Sequence, residues 1–190
     1  MEPLTILHYD HHCAAVLKPA DGAGSVGVQR LDGPARPYDP GLLGSSARLE
    51  TWCPGIPASV AALCGPGGPQ TLPPCLQRLS EDGSFKYLGG SAPIEASLAQ
   101  RAQRLAHAAL TGMPAPQGYV GIDLVLGSAA DGSADVVVEI NPRLTTSYVG
   151  LRQLLKTNLA AAMIEAAAGR PVELGLARQR VEFTAEGRIL

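Results

Sequence analysis

Short apolar stretches broken by Gly, Pro and Ser turn residues fill most of this chain, and two stretches carry a helical period. Ala14 to Lys18 reads as a short strand that runs into a glycine-rich loop, Gly22 to Gly27. Residues 29–48 are rich in Pro, Gly and Ser and read as a connecting loop. Leu49 to Cys53 predicts a strand stopped by Pro54-Gly55, and Ala58 to Cys64 another, ended by the turn residues Gly65 to Pro69. Leu72 to Leu79 and Phe85 to Leu88 continue the strand pattern across a Glu81-Asp82-Gly83 turn. The period then switches. Ile94, Leu98, Ala102, Leu105 and Ala109 form one stripe, which predicts a helix over 94–111 stopped by Gly112 and Pro114. Strands over 119–126 and 135–141 follow, joined near Asp131-Gly132. Leu151, Leu155 and Leu159 stack in a second helix over about 149–168, with Gly169 just past its end. Val181 to Thr184 is a last strand. Hairpin connections with two intervening helices predict an α+β fold, an antiparallel sheet with flanking helices, rather than a parallel sheet.

Composition narrows this picture. A chain of 190 residues makes one ordinary domain or two small lobes around a shared cleft. With 46% hydrophobic and 17% charged residues, wholesale disorder is excluded. A net charge of −2 argues against a nucleic-acid surface or a polybasic membrane contact. No apolar run approaches the roughly 20 residues of a membrane span. The start, Met1-Glu2-Pro3-Leu4, has no basic n-region, and the four cysteines, Cys13, Cys53, Cys64 and Cys75, form no C-x-x-C. Free thiols and a cytoplasmic location are therefore expected. His11-His12-Cys13 could clip a metal, but no second cluster supports it. Of the 15 basic residues, Lys18, Lys86 and Lys156 are the only lysines.

The strands over 119–126 and 135–141 carry the strongest chemistry. Val120, Ile122 and Leu124 face one way and Asp123 the other, with Gly121 and Val125. In the partner strand Val136, Val138 and Ile140 oppose Glu139 and Asn141. A turn centred near Asp131 puts Asp123 opposite Glu139, so Asp123, Glu139 and Asn141 share one face. Opposed carboxylates repel unless a cation sits between them. Two carboxylates and an amide oxygen are hard ligands suited to Mg²⁺ or Mn²⁺. The alternative is the solvated polar face of an amphipathic hairpin. Arg143, two residues past Asn141, adds a bidentate anion donor and favours phosphoryl chemistry.

Gly22-Ala23-Gly24-Ser25-Val26-Gly27 fits G-x-G-x-x-G, but no helix follows and no Gly-Lys-Ser/Thr ends it. What remains is a loop of backbone N–H groups and a hydroxyl that can fold over polyphosphate, with Lys18 just before it as a point charge. A plain surface turn is the other reading.

Together these segments resemble the ATP-grasp superfamily of carboxylate–amine ligases. The resembling runs are Val16 to Ser25, Leu49 to Gly55, Phe85 to Gly90, Gly121 to Val125 and Val138 to Ser147. Within that superfamily, Asn141 to Ser147 is most similar to tyramine–L-glutamate ligases and their uncharacterised relatives. The resemblance implies ATP and Mg²⁺ (or Mn²⁺) as cofactors. Lys18 and Lys86 would contact ATP phosphates, and Gly22, Gly24 and Ser25 would lie in the phosphate lid. Glu50, Trp52 and Cys53 would form a hinge whose backbone reads adenine. Asp123, Glu139 and Asn141 would hold the metal, with Arg143 and Lys18 as catalytic groups. Residues 1–53 would be a partial small lobe with lid and hinge strand, and 54–190 the large lobe with the metal-binding hairpin.

Two departures qualify the expectation. Pro57 stands where the family often places a ribose-binding acid. Only 17 residues precede Lys18, so the N-terminal lobe is expected to be incomplete, and a missing N-terminal portion, a partner subunit or a homo-oligomer is implied. The expected function is an ATP-dependent ligase that forms an amide through an acyl phosphate, with L-glutamate as the carboxylate donor implied by the narrower resemblance. The alternatives are a truncated module that binds MgATP without ligation, and a structural domain whose hairpin acids are merely solvated.

Overall fold

The computed structural model describes residues 5–6, 14–20, 25–32 and 47–190. His11-His12-Cys13, Gly22 and Gly24 lie outside the described residues. The chain divides into two compact units, Met1–Cys53 with Leu79–Tyr87, and Pro54–Arg78 with Leu88–Leu190.

The first unit holds β1 (Thr5–Ile6), β2 (Ala15–Pro19), β3 (Gln29–Leu31) and β4 (Ala47–Thr51), in the order β1-β4-β2-β3. Among the described strands of this unit, only the β1–β4 pair is parallel. Alternation along β2 and β4 buries Ala15, Leu17, Ala47 and Leu49 in a small core with Leu31. The same alternation sends Lys18 and Glu50 to the opposite face. Strand β3 falls inside the stretch expected to be a loop. Gln29 and Arg30 are both exposed, so backbone pairing to β2, and not hydrophobic pattern, makes the strand.

Leu79–Tyr87 belong to this unit, unlike the single division at residue 53 that the sequence suggests. The Arg30 N–H donates to the Gly83 carbonyl at 3.0 Å, and Phe85 stacks on Trp52 with ring centroids 5.1 Å apart. Phe85 itself is not in a strand. It sits at φ 52°, and the following strand begins only at Tyr87.

The second unit is built on β5 (Ile56–Cys64), β6 (Gln70–Thr71), β7 (Cys75–Leu79), β8 (Tyr87–Ala92), β9 (Gly118–Leu126), β10 (Val136–Asn141) and β11 (Val181–Thr184). Their order is β10-β9-β5-β7-β8-β11, with β6 also on β5. The expected strand over 72–79 is thus interrupted, because Pro73-Pro74 cannot donate to a ladder. Helix α1 (Ala96–Thr111) packs Ala102, Ala106 and Leu110 on Ala58, Val60, Ile122 and Leu124. It starts two residues later than its apolar stripe, because the Glu95 carboxylate caps it by accepting from the Ser97 and Leu98 N–H groups.

One buried ion pair ties α1 to the hairpin. Arg101 makes a bidentate pair with Asp135 and donates to the Gly127 carbonyl at 2.6 Å. Asp135 also accepts the Gly127 N–H at 2.9 Å. Both ends of the β9–β10 connection are therefore held by one guanidinium.

The second expected helix is two, α2 (Ser147–Leu154) and α3 (Leu159–Ala167). Leu155 turns extended and bridges to Leu176, the Lys156 N–H donates to the Gly175 carbonyl at 2.8 Å, and the Asn158 side chain caps α3. Among the described residues no helix is long and apolar enough to cross a membrane.

Candidate functional site

The β9–β10 hairpin pairs Glu139 with Asp123 and Asn141 with Gly121. The alternation and the turn predict that first pairing. A bulge between Val137 and Glu139 leaves Val138 without a partner in the ladder, so Val137 and Val138 are both exposed and not on strictly opposite faces. Asp123 lies one strand in from the edge and is half-buried, while Glu139 is exposed. The Asn141 Nδ2 donates to Asp123 Oδ2 at 3.1 Å.

A fourth polar group reaches the same carboxylate. Gln77 of β7 donates from Nε2 to Asp123 Oδ1 at 2.8 Å. No spacing rule points to it, because strand β5 separates β7 from β9 and the two residues are 46 apart. Burial pushes the Asp123 carboxyl up to about 6, and the Glu139 charge pushes the same way. The Gln77 and Asn141 hydrogen bonds and the Arg143 charge only partly offset this.

The loop after Asn141 is pinned from below. An added Cβ at Gly121 would come within 2.4 Å of the Thr145 methyl, so only glycine lets this loop cross β9 so closely. Thr145 Oγ1 and Ser147 Oγ lie 2.9 Å apart, and the buried Tyr119 hydroxyl lies 3.3 Å from Ser147. Burial raises the Tyr119 phenol, so it stays protonated and available to donate. This cluster holds the base of the loop whose exposed tip carries Arg143 and Leu144.

Among the described residues no three His, Cys, Asp or Glu side chains gather to hold a metal by themselves. The donor set here is two carboxylates and an amide, and it fits a hard divalent cation. Asp123 is a half-buried carboxylate facing a second carboxylate, an arrangement that a cation of charge two relieves.

In the first unit, Lys18 Nζ lies 2.8 Å from Glu50 Oε2. The two are diagonal neighbours on the face away from the small core, since Val16 pairs with Glu50 and Lys18 with Arg48. The Trp52 N–H donates to the Ala14 carbonyl at 2.8 Å, and its ring lies under the Arg30 guanidinium, 4.8 Å from carbon to centroid. Neither the Trp52 N–H nor its ring is idle. Cys53 is half-buried and its thiol donates to the Thr51 carbonyl at 3.7 Å. Ser25, in the described part of the glycine loop, sits at φ 62°. Lys86 is exposed. Cys64 and Cys75 are free and buried, and burial pushes the Cys75 thiol up to about 12, which makes it unreactive.

Residues 6–147 match the family described as ATP-grasp domain. The chain belongs to the ATP-grasp family. The fold agrees with that of solved ATP-grasp structures. Carboxyaminoimidazole ribonucleotide synthase from Aspergillus clavatus, complexed with ATP, is 18% identical with a TM-score of 0.70, over 88% of this chain and 44% of that one. An L-amino acid ligase from Bacillus licheniformis is 17% identical with a TM-score of 0.69, over 94% and 45%. A biotin carboxylase–beta-gamma-ATP complex from Campylobacter jejuni is 14% identical with a TM-score of 0.66, over 88% and 40%. At these identities the neighbours establish the ATP-grasp fold alone, and the chain spans less than half the length of each. No curated protein matches the sequence.

Proposed function

We propose that this ATP-grasp chain binds MgATP and serves an ATP-dependent carboxylate–amine ligase. The observation that supports this reading is the in-register Asp123–Glu139 pair, with Asn141 bonded to Asp123 and Arg143 two residues on. Asp123, Glu139 and the amide oxygen of Asn141 would hold Mg²⁺, which when bound offsets charge on the phosphate oxygens. Lys18 would leave its contact with Glu50 to neutralise phosphate, with Lys86 as a second point charge. Gly22, Gly24 and Ser25 would cover the phosphates with backbone N–H groups and a hydroxyl. The hinge run Glu50, Trp52 and Cys53 would read the adenine edge. Because the Trp52 N–H is already donated, that residue has its carbonyl to offer.

In the reaction a substrate carboxylate oxygen attacks the γ-phosphorus and ADP leaves, giving an acyl phosphate. An amine then attacks the acyl carbon, inorganic phosphate leaves with the bonding pair, and the amine's proton is released as the amide forms. Arg143, on the exposed tip of the loop, would neutralise the charge on the transferred phosphoryl group. The narrower resemblance of Asn141 to Ser147 points to L-glutamate as the carboxylate.

Phosphate release from ATP, measured against a panel of carboxylates and amines, tests this. Release that depends on a carboxylate and yields an amide supports the ligase, and release indifferent to L-glutamate rejects that substrate. The second reading is a module that binds MgATP without ligating. Binding with no amide in any pairing would establish it.

A further inference from the structure

The exposed turn that bears Lys86 is closed by hydrogen bonds between its two ends. The Ser80 N–H donates to the Lys86 carbonyl at 2.8 Å, and the Lys86 N–H donates to Ser80 Oγ at 2.9 Å. Both backbone polar groups of Lys86 are thus fixed to one residue across the turn. Inside the turn, Asp82 Oδ1 accepts from the Ser80 hydroxyl at 2.7 Å and from the Ser84 hydroxyl and N–H at 2.6 and 3.0 Å.

The turn is then fastened to the strand that follows the glycine loop and to the hinge. Arg30 of β3 donates its N–H to Gly83, and its guanidinium, paired with Asp32 at 2.8 Å, lies over Trp52. Trp52 stacks on Phe85 with only 19° between the ring planes. Phe85 holds φ 52°, a region unfavourable for any residue with a side chain. An aromatic residue stays there only when its surroundings over-determine it, and the ring stack with Trp52 is what holds it. Lys86 is the next residue.

We propose that Arg30, Trp52 and Phe85 form a clasp that positions Lys86 as a phosphate-binding group on the unit that carries Lys18. The inference rests on the MgATP reading above and adds to it three positioning residues that touch no reacting atom. Arg30, Trp52 and Phe85 act through the backbone of the 80–86 turn.

The test uses the full chain and calorimetric titration with MgATP and with adenosine. Phe85→Gly removes the ring yet suits the positive φ, so the fold is kept. It should weaken MgATP by roughly ten- to a hundredfold, the range of a lost charged hydrogen bond, and leave adenosine affinity unchanged. Lys86→Ala should do the same, and the double variant should be no weaker than Lys86→Ala alone. Phe85→Tyr, which keeps the stack, should restore MgATP affinity. Trp52 is the only tryptophan, so its emission reports directly whether the stack has opened. Equal losses for MgATP and adenosine, or losses that multiply in the double variant, would overturn the clasp. So would wild-type MgATP affinity in Phe85→Gly with the emission shifted. A wild-type chain that binds no MgATP would instead reject the MgATP reading, and the clasp with it.

Discussion

Replacing Asp123 by Asn should make the metal-free protein more stable and abolish its response to magnesium. The Asp123 carboxyl is raised from 3.8 to about 6, chiefly by burial and next by the facing Glu139. A shift of about 2 units corresponds to ~3 kcal/mol lost when the group ionises inside the fold rather than in the unfolded chain. Asparagine removes that charge. Its amide must, however, face two amide donors, Gln77 Nε2 and Asn141 Nδ2, and turning one of them costs about 1 kcal/mol. The net gain is about 2 kcal/mol, or roughly 4–8 °C in melting temperature for a chain of this size. Thermal unfolding followed by circular dichroism at pH 8 with EDTA measures it directly. Excess MgCl₂ should then raise the melting temperature of the wild type and leave Asp123→Asn unmoved. A variant that is less stable in EDTA, or one that gains as much from magnesium as the wild type, would refute the reasoning.

The pH dependence has a definite sign. Between about pH 4 and 6 the folded chain holds a proton on Asp123 that the unfolded chain has released, so metal-free stability should fall as pH rises through that window. Metal affinity should move oppositely, weakening as pH drops through about 6, which a Mn²⁺ titration at several pH values will show. Gln77→Leu removes the hydrogen bond to the half-buried Asp123 oxygen, so it should lower stability at pH 8 by about 1–3 kcal/mol and weaken Mn²⁺ binding, read by denaturant melts and the same titration. Arg101→Met leaves the Asp135 carboxylate without its partner and should lower the midpoint of a denaturant melt.

The hairpin was the most legible part of the fold. The apolar series Val120, Ile122, Leu124 fixes one face of β9, and Asp131-Gly132 fixes the turn, so the Glu139–Asp123 pairing follows from counting. The bulge at Val138 does not, because three consecutive valines carry no mark of which one is extra. The break between α2 and α3 was hidden for a related reason. Leu151, Leu155 and Leu159 keep helical spacing straight through it, although Leu155 is extended. The Lys18–Glu50 pair needs the β2–β4 register before its diagonal can be seen. Gln77 and the clasp around Trp52 are contacts of tertiary structure between segments with no periodic signal, and the Leu79–Tyr87 turn joins the first unit through the clasp. Local alternation therefore places side chains on faces, and which strand lies beside which decides what those side chains meet.

The most direct test of the account is electron paramagnetic resonance of Mn²⁺ titrated into the chain with ATP present. The account predicts that wild-type protein withdraws Mn²⁺ from the free signal beyond what ATP alone removes, and that Asp123→Asn and Glu139→Gln each lose this additional uptake. Uptake unchanged in both variants, or no uptake by the wild type, would contradict it.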